Sequence, residues 1–246
     1  QSQVEVRLET EATPELLRSL RPDEVIVATG AVRDLPPIPG ADQDHVFSGD
    51  DMRELMLGKS SDALKRKTGL ATRLATKLGA ATGVTANLDF LRKATRQWMP
   101  LGERIAIVGG ELVGLELAEF LAERGRKVSV IEETAKLGRG LTVVLRMRLL
   151  TELREHGVGL YASAKDLRIT PEAVVFTAQD GSAQRVPADH VIVAKGARGD
   201  ARLAEALRGA GFPVREAGDC MGVGYIEGAI RGAARAVLGS EAIPPL

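Results

Sequence analysis

Residues 105–116 read IAIVGGELVGLE: an apolar run, a glycine pair, then apolar residues at helical spacing. That order predicts a buried strand, a tight turn and a helix, the entry to a dinucleotide-binding βαβ unit. In such a turn the first glycine makes the bend. The second admits the pyrophosphate against the backbone, and the third lets the helix pack on the strand. Here the three slots hold Gly109, Glu111 and Gly114, with Gly110 between the first two. The pattern predicts a helix over 112–125 (LVGLELAEFLAERG) and a second strand over 127–133 (KVSVIEE). Glu132 stands 23 residues after Gly109. A carboxylate in that place bonds the ribose hydroxyls and favours NAD over the 2′-phosphate of NADP.

Glu111 is the departure from the pattern, and it can be weighed. A helix N-terminus favours a phosphate by ~0.3–2 kcal/mol. A carboxylate ~5 Å from one phosphate charge, at an effective dielectric near ~20, costs roughly 3 kcal/mol before screening by salt. Pointing inward, Glu111 cancels the dipole. Rotated to solvent, it leaves only the bulk of its Cβ, so the sequence predicts an impaired site rather than a dead one.

Outward from this unit, the chain reads as α/β. Residues 4–10 (VEVRLET) alternate as a half-buried strand does, and TPELLRSL places Thr13 as N-cap with Pro14 at the first helical position. EVIVATG (24–30) reads as a strand buried on both faces. LPPIPG (35–40) is rigid extended chain, and a short helix begins near Ser48 or Asp50. Residues 59–97 carry nine basic side chains against Asp62 and Asp89, the texture of a solvated helical excursion, with a cationic phosphate-binding patch as the alternative. A helix is expected over 143–157, then four strands, with QDGS (179–182) as a hairpin turn between the last two. HVIVAKG (190–196) repeats the form of EVIVATG, and both end in glycine, Gly196 and Gly30. The repetition suggests two similar nucleotide-binding domains. A strand ending at Gly218-Asp219 and a helix over 224–239 complete the chain.

Bulk properties exclude several classes. Net charge is zero, which does not point to nucleic acid or an acidic membrane surface, and no window approaches ~18 uninterrupted apolar residues. The single cysteine, Cys220, excludes an internal disulfide and suits a reducing cytoplasm. It reads as a packed small residue. His45, His156 and His190 lack any ligand spacing and read as surface or strand-edge residues. The chain begins at Gln1 with no signal-peptide pattern, and the expectation is a fragment.

EVIVATG, RIAIVGGELVGLELAEFLAERGRKVSVIEE, HVIVAKG and EAGDC followed by GYIEGAI together resemble the pyridine nucleotide–disulfide oxidoreductase architecture. More narrowly, DDMREL, RQWMPLG and GYIEGAI look like the C-terminal region of the NADH:flavin oxidoreductases related to 2,4-dienoyl-CoA reductase and trimethylamine dehydrogenase. The resemblance implies two Rossmann-like domains of glutathione-reductase type, the FAD-like one incomplete at its N-terminus. It implies a parent enzyme with FMN and a 4Fe–4S cluster in preceding domains, this part exchanging electrons with NAD(H) by way of FAD. By the same resemblance Ala28, Thr29 and Gly30 touch FAD, and Gly218 and Asp219 hold its ribityl–phosphate region. The helix opening at Gly228 directs N–H groups to the flavin, and Glu116 lies near the nicotinamide ribose. The plainer readings stay open: the ATG ending as a tight turn, Asp219 as a cap, Glu227 as a first-turn carboxylate.

The expected division is an FAD-like domain from 1–55 and 201–246, a basic insertion over 56–101, and an NAD-like domain over 102–200. Dinucleotides and the missing N-terminal domains are the expected partners, with self-association through exposed apolar surface. Two functional readings remain at this stage: an electron-transferring enzyme module, or a structural ADP/FAD-binding module of a dehydrogenase whose electrons leave to a protein acceptor. In either case the isolated chain is expected to be inactive.

Overall fold

A computed structural model describes residues 4–33, 35–56, 67 and 101–239. The basic stretch over 59–97 lies outside them, apart from Lys67. The chain forms two compact units, Leu35–Gly196 and Gln1–Asp34 with Ala197–Leu246.

The larger unit is built on a five-stranded parallel sheet. Its strands are β3 (Val46–Ser48), β4 (Arg104–Val108), β5 (Lys127–Ile131), β6 (Gly159–Tyr161) and β10 (His190–Val193), in the order β3-β10-β4-β5-β6. The continuous apolar runs have the expected cause, since both faces of the sheet are covered. Ile105 and Ile107 of β4 point into a core with Leu115, Ala118 and Leu121 of α3 (Leu112–Ala122) and Leu149 and Leu153 of α4 (Val143–Glu155). Ala106 and Val108, one residue out of phase, face the antiparallel meander β7 (Lys165–Thr170), β8 (Ala173–Thr177) and β9 (Ala183–Pro187). The β8–β9 turn falls at the expected QDGS, where the Ala178 N–H donates to the Ser182 carbonyl.

The smaller unit pairs β1 (Val25–Val27) in parallel with β12 (Val214–Glu216), and packs α1 (Pro14–Leu20) and α5 (Arg202–Gly209) around Val27, Ala204 and Leu207. Helix α6 (Tyr225–Leu238) follows β12. An antiparallel ribbon joins β2 (Ala31–Arg33) to β11 (Ala197–Gly199). The matching strands β1 and β10 thus both leave through a left-handed glycine, Gly30 at φ +80° and Gly196 at φ +97°, into this ribbon. Thr13 caps α1 as expected, accepting from the Leu16 N–H, with Pro14 first in the helix.

Three expectations are corrected. VEVRLET forms no strand; Val4, Val6 and Leu8 are 70–81% exposed, because alternation without a pairing partner stabilises nothing. EVIVATG is not buried on both faces, since β1 has one described neighbour, and Ile26 stands 47% exposed beside buried Val27. The unit boundaries fall after 34 and 196 rather than after 55 and 200. The reason is β3, a strand the sequence reading missed, which pairs with β10 and buries Phe47 in the core of the larger unit. The preceding segment is tied there too, with the Gln43 amide donating to the carbonyls of Gly40 and Ile169 and the Ile169 N–H to Pro39. Ser48 caps the following helix, α2 (Gly49–Met56), by exchanging hydrogen bonds with Asp51.

Candidate dinucleotide site

In the sheet order, β5 and β6 lie on one side of β4 and β10 on the other. The carboxyl ends of β4 and β10 therefore flank a topological switch point, where open α/β sheets bind ligands. Gly109 leaves β4 there. Its φ of +116° is open only to glycine, and its N–H donates to the Ile131 carbonyl at 2.9 Å. Ala194, just past β10, closes the other side by donating to the Val108 carbonyl.

Gly114 performs the role of a third motif glycine. A Cβ there would run into the Gly109 carbonyl, its carbon 3.0 Å away and its oxygen nearer still. Gly110 is equally constrained, since its Cβ position is occupied by the Leu137 side chain and lies 2.9 Å from Glu132 Cβ. The turn is thus packed closely from within, against α3 on one side and against Leu137 and Glu132 on the other, and only glycine fits it.

Glu132 lies directly beneath it. The side chain is buried and braces the turn: Oε2 accepts the Gly110 N–H at 2.6 Å and Oε1 the Thr134 N–H at 2.7 Å. Burial alone would push its carboxyl up, but these N–H bonds, with Lys195 nearby, outweigh it and hold the group below its ordinary range, as a carboxylate. The adjacent Glu133 pairs with Lys195 at 2.7 Å.

Glu111 resolves differently from either sequence alternative. It is the N-cap of α3, at φ −82° and ψ −169°, an extended conformation that strains no residue. Its carboxylate does not cap the helix. Instead Oε1 accepts Nε and Nη2 of Arg139, at 3.0 and 2.7 Å. Arg139 is the functional candidate that sequence reading missed, and the one signal for it was its bracketing by Gly138 and Gly140 in the loop after β5. Glu116 is exposed on the second turn of α3.

The expected FAD residues lie in the smaller unit. Ala28 and Thr29 are exposed at the end of β1, followed by Gly30. Gly218, at φ +73°, opens a single 3-10 turn through Cys220 after β12. Asp219 is a cap, its Oδ1 accepting the Gly224 N–H at 2.9 Å. Gly228 is not at the helix opening. Helix α6 opens at Tyr225, held at φ +56°, and the Gly228 N–H is already donated to the Gly224 carbonyl. The N–H groups left outside the helical ladder are therefore those of residues 225–227. Glu227 pairs with Arg231 one turn on.

Of the histidines expected at the surface or at strand edges, His156 is exposed, while His45 and His190 stand partly buried at strand starts, His45 just before edge strand β3 and His190 opening β10. His190 Nδ1 accepts the Gly102 N–H at 2.8 Å, and His45 Nε2 is buried. Cys220 is packed, its Sγ within 3.3 Å of the Val27 and Ala217 carbonyls. Among the described residues no group of three or more His, Cys, Asp or Glu could hold a metal, and no helix is long and apolar enough to cross a membrane.

A sequence profile of the family described as pyridine nucleotide-disulphide oxidoreductase matches residues 3–220. The chain belongs to this family. Similar proteins include the bilirubin reductase of Mediterraneibacter gnavus (strain CC55_001C), 29% identical over 217 residues, covering 88% of this chain and 27% of that one. The NADH oxidase of Thermoanaerobacter brockii is 26% identical over 228 residues, covering 92% and 29%. Among solved structures, 2-naphthoyl-CoA reductase aligns with a TM-score of 0.66 at 22% identity over 95% of this chain and 29% of that one. An amine oxidase acting on 6-hydroxypseudooxynicotine from Pseudomonas geniculata N1 aligns with a TM-score of 0.62 at 19% identity, over 93% and 30%. The structural likeness shows the fold. The chain spans less than a third of the length of each of these proteins. Family membership supports NAD(H) and FAD as its cofactors, although its single cysteine can form no disulfide within the chain.

Proposed function

We propose that this chain is the dinucleotide-binding part of a larger flavin-dependent oxidoreductase, of the branch that includes 2,4-dienoyl-CoA reductase and trimethylamine dehydrogenase. NAD(H) binds at the glycine turn of the larger unit and FAD at the end of β1 in the smaller one. The observation that carries this reading is the tightly packed Gly109–Gly114 turn at the switch point, braced from beneath by Glu132. Relatives of more than three times the matched length, among them proteins named as reductases and an NADH oxidase, agree with it. When bound, NAD(H) supplies the hydride, and the protein supplies position and electrostatics. Gly109 and Gly110 admit the pyrophosphate to the backbone, and the N–H groups opening α3 face its charge. Glu132 receives ribose hydroxyls and, with Glu133, disfavours a 2′-phosphate.

FMN and a 4Fe–4S cluster belong, on this reading, to residues beyond this sequence, since a cluster of that kind takes four thiolates and the chain has one cysteine. The same cysteine count is compatible with a reducing cytoplasm. A second reading, a structural ADP/FAD-binding module of a dehydrogenase with a protein electron acceptor, is favoured by the carboxylate at position 111. The two are separated by calorimetric titration of NADH and NADPH into the chain. The electron-transfer reading expects micromolar NADH binding and NADPH weaker by roughly tenfold or more, from carboxylate–phosphate repulsion. Silence toward NADH up to ~1 mM, an affinity worth only ~4 kcal/mol, would overturn it in favour of the structural module.

A further inference from the structure

The Glu111–Arg139 pair sits where the proposed pyrophosphate enters, and three observations bear on what it does. First, the α3 N-terminus is left open. Glu111 makes no side-chain cap bond, and the N–H groups of residues 112–114 precede the first helical bond, from Leu115 to the Glu111 carbonyl. Second, Arg139 is placed by a built loop. The Gly138 N–H donates to the Gly110 carbonyl at 2.7 Å, Leu137 packs against Gly110, and Gly138 and Gly140 adopt φ +70° and +86° on either side of the arginine. The loop is thus fastened to the glycine turn by its backbone, which holds the Arg139 Cα beside the turn. Third, the pair is exposed, the side chains 61% and 37% accessible for Arg139 and Glu111. An ion pair in that setting is weak enough to exchange.

We propose that Arg139 is the cation that receives the dinucleotide pyrophosphate, and that Glu111 is its resident partner, displaced to solvent when the nucleotide binds. This rests on the NAD(H) reading above. The guanidinium gives up one carboxylate oxygen for phosphate oxygens, which it binds through the same planar fork. Glu111 then serves as a stand-in for the ligand's charge, so the arginine is held at the turn before binding. The residue that breaks the glycine motif and the residue that compensates for it act as one device, 28 positions apart.

The test is calorimetric titration of NADH into the full chain, the wild type beside Glu111→Gln, Arg139→Gln and the double variant, with thermal melts to establish that each is folded. Glu111→Gln should tighten NADH severalfold by removing the competitor. Arg139→Gln should weaken it about tenfold or more, and should do so in the Glu111→Gln background as well. That last comparison decides the matter. Were Arg139 only neutralising Glu111, its removal would have no effect once Glu111 is uncharged, and an unchanged affinity there overturns the proposal while leaving the NAD(H) site intact. If the wild type is silent toward NADH, the NAD(H) reading itself fails, and this inference with it.

Discussion

Gly114→Ala is the substitution that most sharply exposes how α3 meets β4. In a helix interior alanine is better than glycine by ~1 kcal/mol. At Gly114 that gain meets a Cβ 3.0 Å from the Gly109 carbonyl carbon and closer to its oxygen. Neither partner is a side chain that can rotate away, so α3 must lift from the strand. Overpacking of this kind costs ~1–3 kcal/mol, and backbone against backbone belongs at the upper end. The expected net loss is about 2 kcal/mol, or roughly 4–8 °C in melting temperature for a chain of this size. Gly228→Ala is the matched control. It too is helical, but nothing lies within 4 Å of its Cβ position. It should gain ~0.5–1 kcal/mol. Urea and thermal unfolding followed by far-ultraviolet circular dichroism read both. If Gly114→Ala were as stable as the wild type or more so, the close packing of helix on glycine turn would be refuted.

Glu132→Ala should cost about 2–3 kcal/mol, because a buried N–H (Gly110) and a part-buried one (Thr134) lose a charged acceptor. Since the folded carboxyl is held below its ordinary 4.5, that contribution is complete above pH 4.5 and is lost as pH falls through the folded value, so the variant should show a shallower acid-unfolding profile in that window. His190 behaves in the same sense as a base. Burial first, then His45, lowers its pKa below the ordinary 6.5, against the pull of Asp189, so its stabilising role is present above pH 6.5 and wanes below it. Melting temperatures between pH 8 and about 5 should fall less steeply for His190→Asn, which keeps an acceptor for Gly102 without the titration. Phe47→Ala should cost ~3–5 kcal/mol if β3 belongs to the larger unit's core, whereas Ile26→Ala, on the exposed side of β1, should stay within ~0.5 kcal/mol. Ile226, Ile230, Val237 and Leu238 are exposed along α6, and light scattering at high concentration should show self-association. A clean monomer would count against it.

Much of this molecule was legible because its parallel strands are covered on both faces. RIAIV and HVIV carry continuous apolar runs and KVSVI one broken only by Ser129, and the glycine turn and Glu132 carry their spacing in the sequence. Thr13 before Pro14 announced a helix start by the same local logic. What stayed hidden depends on distant partners. VEVRLET alternates well but pairs with nothing described, whereas the three residues of β3 became a strand only because β10, far along the chain, lies beside them. The unit boundary moved with β3. Glu132 was legible as an acidic residue at the right distance, but not as the brace of the turn, which requires its burial. Arg139 belongs to no motif, and only its contact with Glu111 marks it. The helix over 224–239 was legible, but the role given to Gly228 came only from the resemblance, and its N–H is already bonded to Gly224 within the helix.

The central claim is that NADH seats on the turn between β4 and α3. The most direct measurement is a ¹⁵N-correlated NMR spectrum of the full chain as NADH is added. The account predicts that the amide signals of Gly109, Gly110, Leu112 and Val113 move together, and that of Thr134 with them, since its N–H is held by Glu132. If those signals stay in place at saturating NADH, or if the shifts gather only in the smaller unit, the assignment of the dinucleotide to this turn is contradicted.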